Sequence, residues 1–267
     1  MILILGGTGE AREVISCLEG LIDAGRLIFS VTTDYGCDLA RDSFQGRIMV
    51  GKMQQDQMVE ACQQLDIRLI IDATHPFAEE VSRNAILTAE ELGLDYIRYE
   101  REEIGELGEQ PEVISCSGYQ GAARRAVEEG ERILLTIGSR RVKPFVAEAR
   151  RRGAQLWVRV LPLPASLEKC LSLGLPPDRI MALKGPMSRD LNYALLREHA
   201  IDLLVTKESG PRGGLKKKIM AARRAGIGVL MIRRPELKYP LVFNQLPLLI
   251  THLMQEGWLQ NKKEGRR

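Results

Sequence analysis

The 267-residue sequence is poor in aromatic and cysteine residues, and each shortage excludes a class of function. Aromatic side chains make up only 5% of the chain, and no nucleic-acid-binding module is recognisable, so a nucleic-acid partner is not expected. The five cysteines form no Cys-x-x-Cys pair and have no histidine at ligand spacing, which indicates free thiols rather than a metal site or disulfides. Long apolar runs are also missing. The apolar start, Met1–Leu5, is too short for a signal peptide or a membrane span, so we expect a cytoplasmic protein with no membrane partner.

Charge is divided unevenly along the chain, although the net charge is only +3. Residues 1–131 contain 11 Lys or Arg against 25 Asp or Glu, whereas residues 132–234 contain 22 against 7. A basic half of this density suggests a polyanionic ligand. The alternative is that the charges lie on solvated helix faces, as expected for Arg150–Arg152 and Lys216–Lys218.

Short apolar strands alternate with helical patterns, which predicts parallel βαβ units in an α/β protein. In the first part we predict strands at Ile2–Leu5, Leu27–Thr32, Arg47–Val50, Leu69–Ile71 and Tyr96–Tyr99, and helices over Glu10–Leu18, Gln55–Leu65 and Ala78–Leu92. A charged, glycine-bearing segment at 100–109 then predicts a domain boundary. Strands follow at Glu112–Ser115, Ile133–Thr136, Leu156–Val160, Arg179–Leu183, Leu203–Thr206 and Val229–Ile232. The predicted domains are 1–103 and 104–243, followed over 244–267 by a packing helix, Asn244–Leu259, and a frayed end.

The first strand leads directly into Gly6-Gly7-Thr8-Gly9-Glu10-Ala11-Arg12. Glycines at this position let the backbone approach a phosphate, and the following helix presents free N–H groups. This order is typical of a dinucleotide-binding fold, although the third glycine of the full motif is missing. The alternative is a tight turn in which Thr8 caps the helix.

The second strand ends in Thr32-Thr33-Asp34, where a dinucleotide fold meets the adenosine ribose. An aspartate there accepts hydrogen bonds from the ribose hydroxyls and repels a 2′-phosphate, so Asp34 favours NADH over NADPH. A capping or turn role for Asp34 is the alternative.

The fourth strand ends in Asp72-Ala73-Thr74-His75-Pro76-Phe77-Ala78, at the edge of a sheet where ligands bind. Thr74 and His75 are therefore predicted to border a nicotinamide. His75 is one of three histidines and the main group expected to titrate near neutral pH. The alternative is that Thr74 or His75 caps the next helix, with Pro76 at its first position.

Three loops at strand ends in the second domain each combine a hydroxyl or backbone N–H group with a cation, a chemistry suited to carboxylates or phosphates. They are expected to share one pocket, with ordinary helix starts as the alternative. The residues concerned are Thr136, Ser139, Arg140 and Arg141, then Lys184 and Ser188, then Thr206, Lys207, Glu208, Ser209 and Arg212.

Taken in order, the motifs GGTGEAR, DATHPFA, YIRYERE, TIGSR, RVLP, KGPMS and TKESG resemble the precorrin-6A reductase and cobalt-precorrin-6A reductase family of cobalamin biosynthesis. The resemblance implies two Rossmann-like domains with mainly parallel sheets and a cleft between them. It also implies an enzyme that passes a hydride from NADPH or NADH to a macrocycle double bond, giving precorrin-6B or its cobalt form.

The resemblance implies that Gly6, Gly7, Thr8, Thr74 and His75 lie by the cofactor. From their places in the loops after the first two strands, Gly9, Thr33 and Asp34 are also predicted to bind the cofactor, although Asp34 departs from the pattern of the family. The resemblance also implies that Lys184, Ser188, Lys207, Glu208 and Ser209 close the cleft from the other domain, the last three also by the cofactor. The substrate is a polycarboxylate tetrapyrrole, so basic residues would bind it, namely Arg140, Arg141, Arg159, Lys184, Lys207 and Arg212, with Ser139 and Ser188 beside them. His75, Lys184 or solvent would donate the proton that the reduction requires.

Two other functions would use the same sequence features. A short-chain dehydrogenase or epimerase would use the same glycine loop but needs a Tyr-x-x-x-Lys motif, and none of the six tyrosines has a lysine four residues on. A nucleic-acid-binding protein would use the basic half, and its affinity would fall with added salt.

Overall fold

The computed structural model describes residues 1–41, 44–101, 113–209 and 213–259. The chain folds into two compact units: unit 1 comprises residues 1–102 and 236–267, and unit 2 comprises residues 103–235. The predicted end of the second domain at residue 243 differs from the structure, which returns the chain to unit 1 at residue 236. Within the described ranges, no helix has both the length and the apolar character needed to cross a bilayer.

Strands and helices alternate through the first part of unit 1. They are β1 (Ile2–Leu5), α1 (Gly9–Glu19), β2 (Leu27–Val31), α2 (Asp34–Arg41), β3 (Arg47–Val50), α3 (Gln55–Gln64), β4 (Leu69–Asp72), α4 (Glu79–Leu92) and β5 (Asp95–Tyr99). Each predicted element is present within a few residues of its predicted bounds. The helix α2 is an addition to the predicted elements, because the sequence analysis places only a ribose contact, a cap or a turn after β2.

Unit 2 repeats the alternation. Its elements are β6 (Val113–Cys116), α5 (Tyr119–Glu129), β7 (Arg132–Leu135), α6 (Lys143–Arg152), β8 (Gln155–Val160), α7 (Pro164–Ser172), β9 (Ile180–Ala182), α8 (Arg189–Glu198), β10 (Leu203–Lys207), α9 (Leu215–Ala225) and β11 (Gly228–Ile232). The chain then returns to unit 1 with β12 (Val242–Phe243) and α10 (Leu246–Gln255). The predicted start of β6 at Glu112, most of the charged linker and the frayed end lie outside the described residues.

Each unit contains one six-stranded parallel sheet. The order in unit 1 is β12-β5-β4-β1-β2-β3, and the order in unit 2 is β6-β11-β10-β7-β8-β9. The predicted fold class, α/β with two mainly parallel sheets, is confirmed. In unit 1 the direction of winding reverses between β1 and β4, and in unit 2 it reverses between β7 and β10. Ligands of such sheets bind in the crevice at the carboxyl ends of the strands where this reversal occurs.

Alternate side chains of β1 point to opposite faces of the unit 1 sheet, as strand geometry requires. Ile2 and Ile4 pack with α1, α2 and α10, whereas Leu3 and Leu5 pack with α3 and α4. The strand is therefore apolar throughout because helices cover both faces. In unit 2, α8 and α9 cover one face of the sheet around Trp157 and Leu204.

The C-terminal segment belongs to unit 1 because it completes both the sheet and the core there. Val242 and Phe243 pair in parallel with Arg98 and Tyr99 of β5. Leu249 and Leu253 of α10 are fully buried in the core that contains α1. The prediction of a packing helix at this end is confirmed, with bounds shorter than the apolar periodicity indicated.

Candidate functional site

The three predicted cofactor loops of unit 1 lie side by side, because β4, β1 and β2 are neighbours in the sheet and run in the same direction. Gly6–Gly9 follows β1, Thr33 and Asp34 follow β2, and Thr74 and His75 follow β4. Gly6, Thr32 and Thr74 also line one pocket at this edge. The structure thus brings these residues together at the reversal point of the sheet, where a ligand is expected.

The glycine loop has the geometry of a phosphate cradle. A Cβ atom at Gly6 would lie 2.0 Å from Cε2 of Phe29, so the close approach of the backbone requires glycine there. Gly7 has a φ of +109°, and a Cβ atom added there would meet nothing within 4 Å. The loop is therefore free of side chains on the side that faces open space, and the first N–H groups of α1 have no partners within the helix.

Thr8 supports this loop by capping α1. Its Oγ1 accepts a hydrogen bond from the Ala11 N–H at 3.0 Å and donates one to the Ala73 carbonyl oxygen at 2.8 Å. The alternative prediction of a capping role is therefore confirmed, and the second bond ties the β1 loop to the β4 loop. A cap that fixes two loops relative to each other is compatible with phosphate binding through backbone N–H groups.

Asp34 is exposed and begins α2. The preceding Thr33 caps that helix, since its Oγ1 accepts a hydrogen bond from the Gly36 N–H at 3.1 Å. The alternative that Asp34 caps α2 is wrong, because the Thr33 hydroxyl, and not the Asp34 carboxylate, accepts the hydrogen bond from the Gly36 N–H. The carboxylate of Asp34 extends from the first turn, where its negative charge interacts favourably with the helix dipole.

The loop after β4 holds Thr74 and His75 in different ways. Thr74 is buried, and its Oγ1 donates to Oδ1 of Asp72 at 2.7 Å. His75 is partly buried, and its Nδ1 accepts a hydrogen bond from the Phe77 N–H at 3.2 Å, which places the proton of the neutral ring on Nε2. The alternative that Thr74 or His75 caps α4 is wrong, because α4 begins at Glu79 with Ala78 at the cap position.

Beneath this loop lies a buried ion pair that sequence analysis did not single out. Asp72 and Arg98 are partners in the β4–β5 register, and Nη1 of Arg98 lies 2.8 Å from Oδ1 of Asp72. Neither side chain is exposed to solvent. Arg98 also donates to the Thr74 carbonyl oxygen at 3.0 Å and to Oε2 of Glu100 at 2.8 Å. The signal in the sequence was a charged residue in the middle of an apolar strand.

Electrostatics keep this pair ionised. Burial alone would raise the pKa of Asp72, but the Arg98 charge and hydrogen bonds from Ser82 and Thr74 hold that pKa below its ordinary value. Burial and the neighbouring Asp72 raise the pKa of Tyr96, whose hydroxyl donates to Oδ2 of Asp72 at 2.8 Å. The network is therefore a fixed polar support for the Thr74–His75 loop.

In unit 2 the winding reverses between β7 and β10. A threonine hydroxyl connects these two strands, as Thr8 connects the β1 and β4 loops in unit 1. The Thr136 hydroxyl donates to the Val205 carbonyl oxygen at 3.0 Å. Gly138, with φ of +82°, then leads into a short 3-10 turn that contains three predicted substrate-binding residues, Ser139, Arg140 and Arg141. Both arginines are exposed, and the Arg141 guanidinium lies 5.1 Å from the centre of the Tyr119 ring.

Lys207 ends β10 beside this turn. Burial and the nearby Arg141 lower its pKa to about 8. Glu208 serves the fold, since its Oε2 accepts a hydrogen bond from the Arg234 N–H at 2.8 Å. Ser209 is buried, and its hydroxyl has no hydrogen-bond partner among the described residues.

The remaining predicted substrate residues follow β9, except Arg212, which lies outside the described residues. Lys184 is exposed at this end of β9. Ser188 caps α8, with its Oγ accepting a hydrogen bond from the Leu191 N–H at 3.1 Å. The alternative of an ordinary helix start therefore applies to Ser188.

Lys218 differs from its neighbours Lys216 and Lys217, although all three are expected from the sequence on a solvated helix face. Lys216, Lys217 and Arg150–Arg152 are indeed exposed, but Lys218 is only 7% exposed. Its Nζ donates to Oγ1 of Thr206 at 3.0 Å. The periodicity of α9 carries the signal, because Leu215, Lys218, Ile219 and Ala222 share its buried stripe.

Besides Lys207, two further cations lie at the carboxyl edge of the unit 2 sheet, the buried Lys218 and the partly buried Arg159. Arg159 of β8 donates to Oδ1 of Asn192 at 2.7 Å, and burial lowers its pKa to about 10. The carboxyl edge of the unit 1 sheet differs from this one, because its glycine loop presents backbone N–H groups rather than cationic side chains. Among the described residues, no group of three His, Cys, Asp or Glu side chains is placed to share a metal ion.

The chain is similar to known reductases along nearly its whole length. The family model described as Precorrin-6x reductase CbiJ/CobK matches residues 1–253. The cobalt-precorrin-6A reductase of Methanothermobacter thermautotrophicus is 36% identical over 259 residues, which cover 95% of this chain and 83% of that protein. The cobalt-precorrin-6A reductase of Priestia megaterium is 32% identical over 260 residues, which cover 96% of this chain and 99% of that protein.

A solved structure shares the fold. The structure of CobK precorrin-6A reductase superposes with a TM-score of 0.75 at 24% sequence identity, covering 96% of this chain and 97% of that one. The family match includes the glycine loop, the Thr74–His75 loop and the cationic edge of unit 2. Over nearly its whole length, the chain belongs to the precorrin-6x reductase CbiJ/CobK family.

Proposed function

We propose that this chain reduces one double bond of the precorrin-6A macrocycle, or of its cobalt form, in cobalamin biosynthesis. Family membership over residues 1–253 is the observation that carries this proposal. When bound, a reduced nicotinamide dinucleotide supplies the hydride, and the adjacent ring carbon takes a proton. The residues of the chain bind and orient the two ligands and exclude water.

The carboxyl edge of the unit 1 sheet fits the dinucleotide. Gly6 and Gly7 leave the loop backbone open to a pyrophosphate, while the N-terminus of α1 supplies N–H donors and the positive end of its dipole. Asp34 accepts hydrogen bonds from the ribose hydroxyls, which favours NADH. Thr74 and His75 border the nicotinamide, held in place by Arg98 through the Thr74 carbonyl oxygen.

The carboxyl edge of the unit 2 sheet fits a macrocycle that carries many carboxylates. Arg140, Arg141 and Lys207 end or follow neighbouring strands, so they present several positive charges to one ligand. Partly buried cations bind carboxylates more strongly than exposed ones, because water screens them less. The proposed proton donors are Nε2 of His75 and the ammonium of Lys184, with solvent as the third source.

An isotope experiment tests the reaction. Reduced nucleotide carrying deuterium at both C4 positions is incubated anaerobically with the enzyme and with precorrin-6A or cobalt-precorrin-6A, and the product is analysed by mass spectrometry. We expect one deuterium in the macrocycle. Reduction without deuterium transfer would contradict direct hydride delivery, and the form that is turned over identifies the metal state of the substrate.

The Lys207→Ala variant tests the proposal that unit 2 binds the tetrapyrrole while unit 1 binds the nucleotide. If Lys207 binds substrate carboxylates, the change should raise the KM for the tetrapyrrole about 5- to 150-fold, equivalent to about 1–3 kcal/mol, and leave the KM for the nucleotide nearly unchanged. The effect should shrink at high salt. Lys217→Ala removes an exposed lysine of the same unit and should change neither constant. Equal increases in both KM values would instead assign Lys207 to the cofactor or to the fold.

A further inference from the structure

Arg159 is a partly buried arginine that uses only one of its three side-chain nitrogens within the protein. It lies in β8, one residue before the carboxyl end of that strand. Its Nη1 donates to Oδ1 of Asn192 at 2.7 Å and to the sulfur atom of Met187 at 3.3 Å. Within the described ranges, no group accepts a hydrogen bond from Nε or Nη2. The edge of the guanidinium that carries these two nitrogens is therefore available to a ligand.

Two other arginines in strands are bonded differently. Arg98 uses all three of its side-chain nitrogens in hydrogen bonds within unit 1. Arg132, at the amino end of β7, does the same within unit 2. Their guanidinium groups support the fold, because the protein supplies an acceptor for every nitrogen. Support of the fold does not account for Nε and Nη2 of Arg159 in the same way.

The charge of Arg159 also has no carboxylate beside it in the part of the chain that the structure describes. The two acceptors of Nη1 are an amide oxygen and a thioether, and both are uncharged. Burial lowers the pKa of Arg159 to about 10, and no opposite charge offsets this effect. Removing a guanidinium from water costs free energy, and a ligand carboxylate would recover part of that cost through charge-assisted hydrogen bonds.

Asn192 fixes the orientation of this guanidinium. The side chain lies in the first turn of α8 and is only 6% exposed. Its Nδ2 donates to the carbonyl oxygens of Ser188 at 2.7 Å and of Met187 at 3.4 Å. Because the amide N–H groups are bound on that side, Oδ1 is turned towards Arg159. With Nη1 held there, the opposite edge of the planar group is the one that can bind a carboxylate side-on.

We propose that Arg159 binds a ligand carboxylate through Nε and Nη2, and that Asn192 is the positioning residue that holds the guanidinium for this contact. The inference rests on the part of the proposed function in which unit 2 binds a polycarboxylate tetrapyrrole. It adds a two-point contact at the end of β8, the neighbour of β7, whose loop carries Arg140 and Arg141. Two parallel N–H donors match the two oxygens of a carboxylate, so the contact selects both the charge and the orientation of the ligand.

Titration with a stable octacarboxylate porphyrin tests this contact without requiring turnover. The change in porphyrin absorbance gives the Kd for the full-length protein. Arg159→Met should raise this Kd about tenfold or more, because hydrogen bonds to a charged group are lost. Arg159→Lys keeps the charge but cannot make the two-point contact, so it should restore only part of the affinity. Arg197→Met makes the same charge change in the exposed last turn of α8 and should bind like the wild type.

A double-mutant cycle tests the role of Asn192. Asn192→Ala should weaken porphyrin binding in the wild-type background and have little further effect when combined with Arg159→Met, because Asn192 acts through Arg159. A purely structural role predicts the same loss in both backgrounds, and that result would overturn the role given to Asn192. Denaturant unfolding monitors the fold. If Asn192→Ala is not folded, Asn192→Ser replaces it, since a serine hydroxyl can still donate to the Ser188 carbonyl oxygen.

The outcomes separate this inference from the proposed reduction. Folded Arg159→Met that binds the porphyrin like the wild type would overturn the inference, as would full recovery by Arg159→Lys or no binding by the wild type. A loss of affinity for reduced nucleotide instead of the porphyrin would also overturn it, because the anion bound would then be a phosphate. None of these results contradicts deuterium transfer. Conversely, if no deuterium is transferred, a selective loss of porphyrin affinity in the Arg159 variants would still support the carboxylate contact.

Discussion

The guanidinium of Arg98 lies 2.8 Å from the carboxylate of Asp72, and neither side chain has any exposed surface. The two residues are partners in the register of β5 and β4, so the sheet itself places the charges together. Arg98 also donates to the carbonyl oxygen of Thr74, two residues beyond Asp72. The pair therefore transmits the rigidity of the sheet to the loop on which Thr74 and His75 lie.

Replacing Arg98 by Met should destabilise the protein strongly. The change leaves Asp72 as a buried charge without its partner, and breaking a buried pair in this way costs about 3–5 kcal/mol. Denaturant unfolding measures the loss. Arg83→Met breaks the exposed pair with Glu79 and should cost at most about 1 kcal/mol. Similar losses for the two variants would mean that the buried network does not stabilise unit 1.

Replacing Gly7 by Ala should weaken nucleotide binding at least tenfold, about 1.4 kcal/mol. The new methyl group would occupy the open side of the loop where a pyrophosphate is proposed, and the positive φ adds strain. Gly93→Ala is the matched control, because Gly93 also has positive φ with open space around its Cβ position but ends α4. Fluorescence titration with reduced nucleotide compares them. If both variants, while folded, bound nucleotide like the wild type, the phosphate assignment would fail.

Replacing Asp34 by Arg should shift the cofactor preference towards NADPH by tenfold or more in kcat/KM. The change removes the carboxylate that is proposed to accept hydrogen bonds from the ribose hydroxyls, and a guanidinium accommodates a 2′-phosphate. Asp38→Arg makes the same charge change one turn later on α2, where the residue is also exposed, and should shift the preference much less. A wild-type enzyme that prefers NADPH tenfold would contradict the role given to Asp34.

Replacing Lys218 by Met should flatten the pH dependence of stability above neutrality. The folded-state pKa of about 7 is below the ordinary value, so between about pH 7 and 10.5 the unfolded chain binds more protons at this residue than the folded chain. The free energy of unfolding therefore rises with pH in this window, by up to about 1.4 kcal/mol per pH unit. Denaturation at several pH values from 7 to 9 should show a smaller slope for Lys218→Met than for the wild type. Lys217→Met, at an exposed position, should keep the wild-type slope.

The sequence by itself determined the α/β class, nearly all of the strands and the loops that we propose as the cofactor site. These features depend on local patterns. Apolar runs such as Ile2–Leu5 form buried strands, and the glycines that follow allow the backbone to come close to a ligand. Because all strands of a doubly wound sheet are parallel, polar residues at their carboxyl ends meet at one edge. The positions of Gly7, Asp34 and Thr74 at one edge followed from that rule alone.

Only the tertiary structure decided the features that depend on contacts between distant segments. The return of β12 to the unit 1 sheet, the pairing of Arg98 with Asp72 and the burial of Lys218 each depend on which strand lies beside which. A lysine in a basic helix has the same local sequence whether it faces water or a sheet. Its proton affinity is set by desolvation and by the charges of β8 and β10, which are remote in sequence and adjacent only after folding.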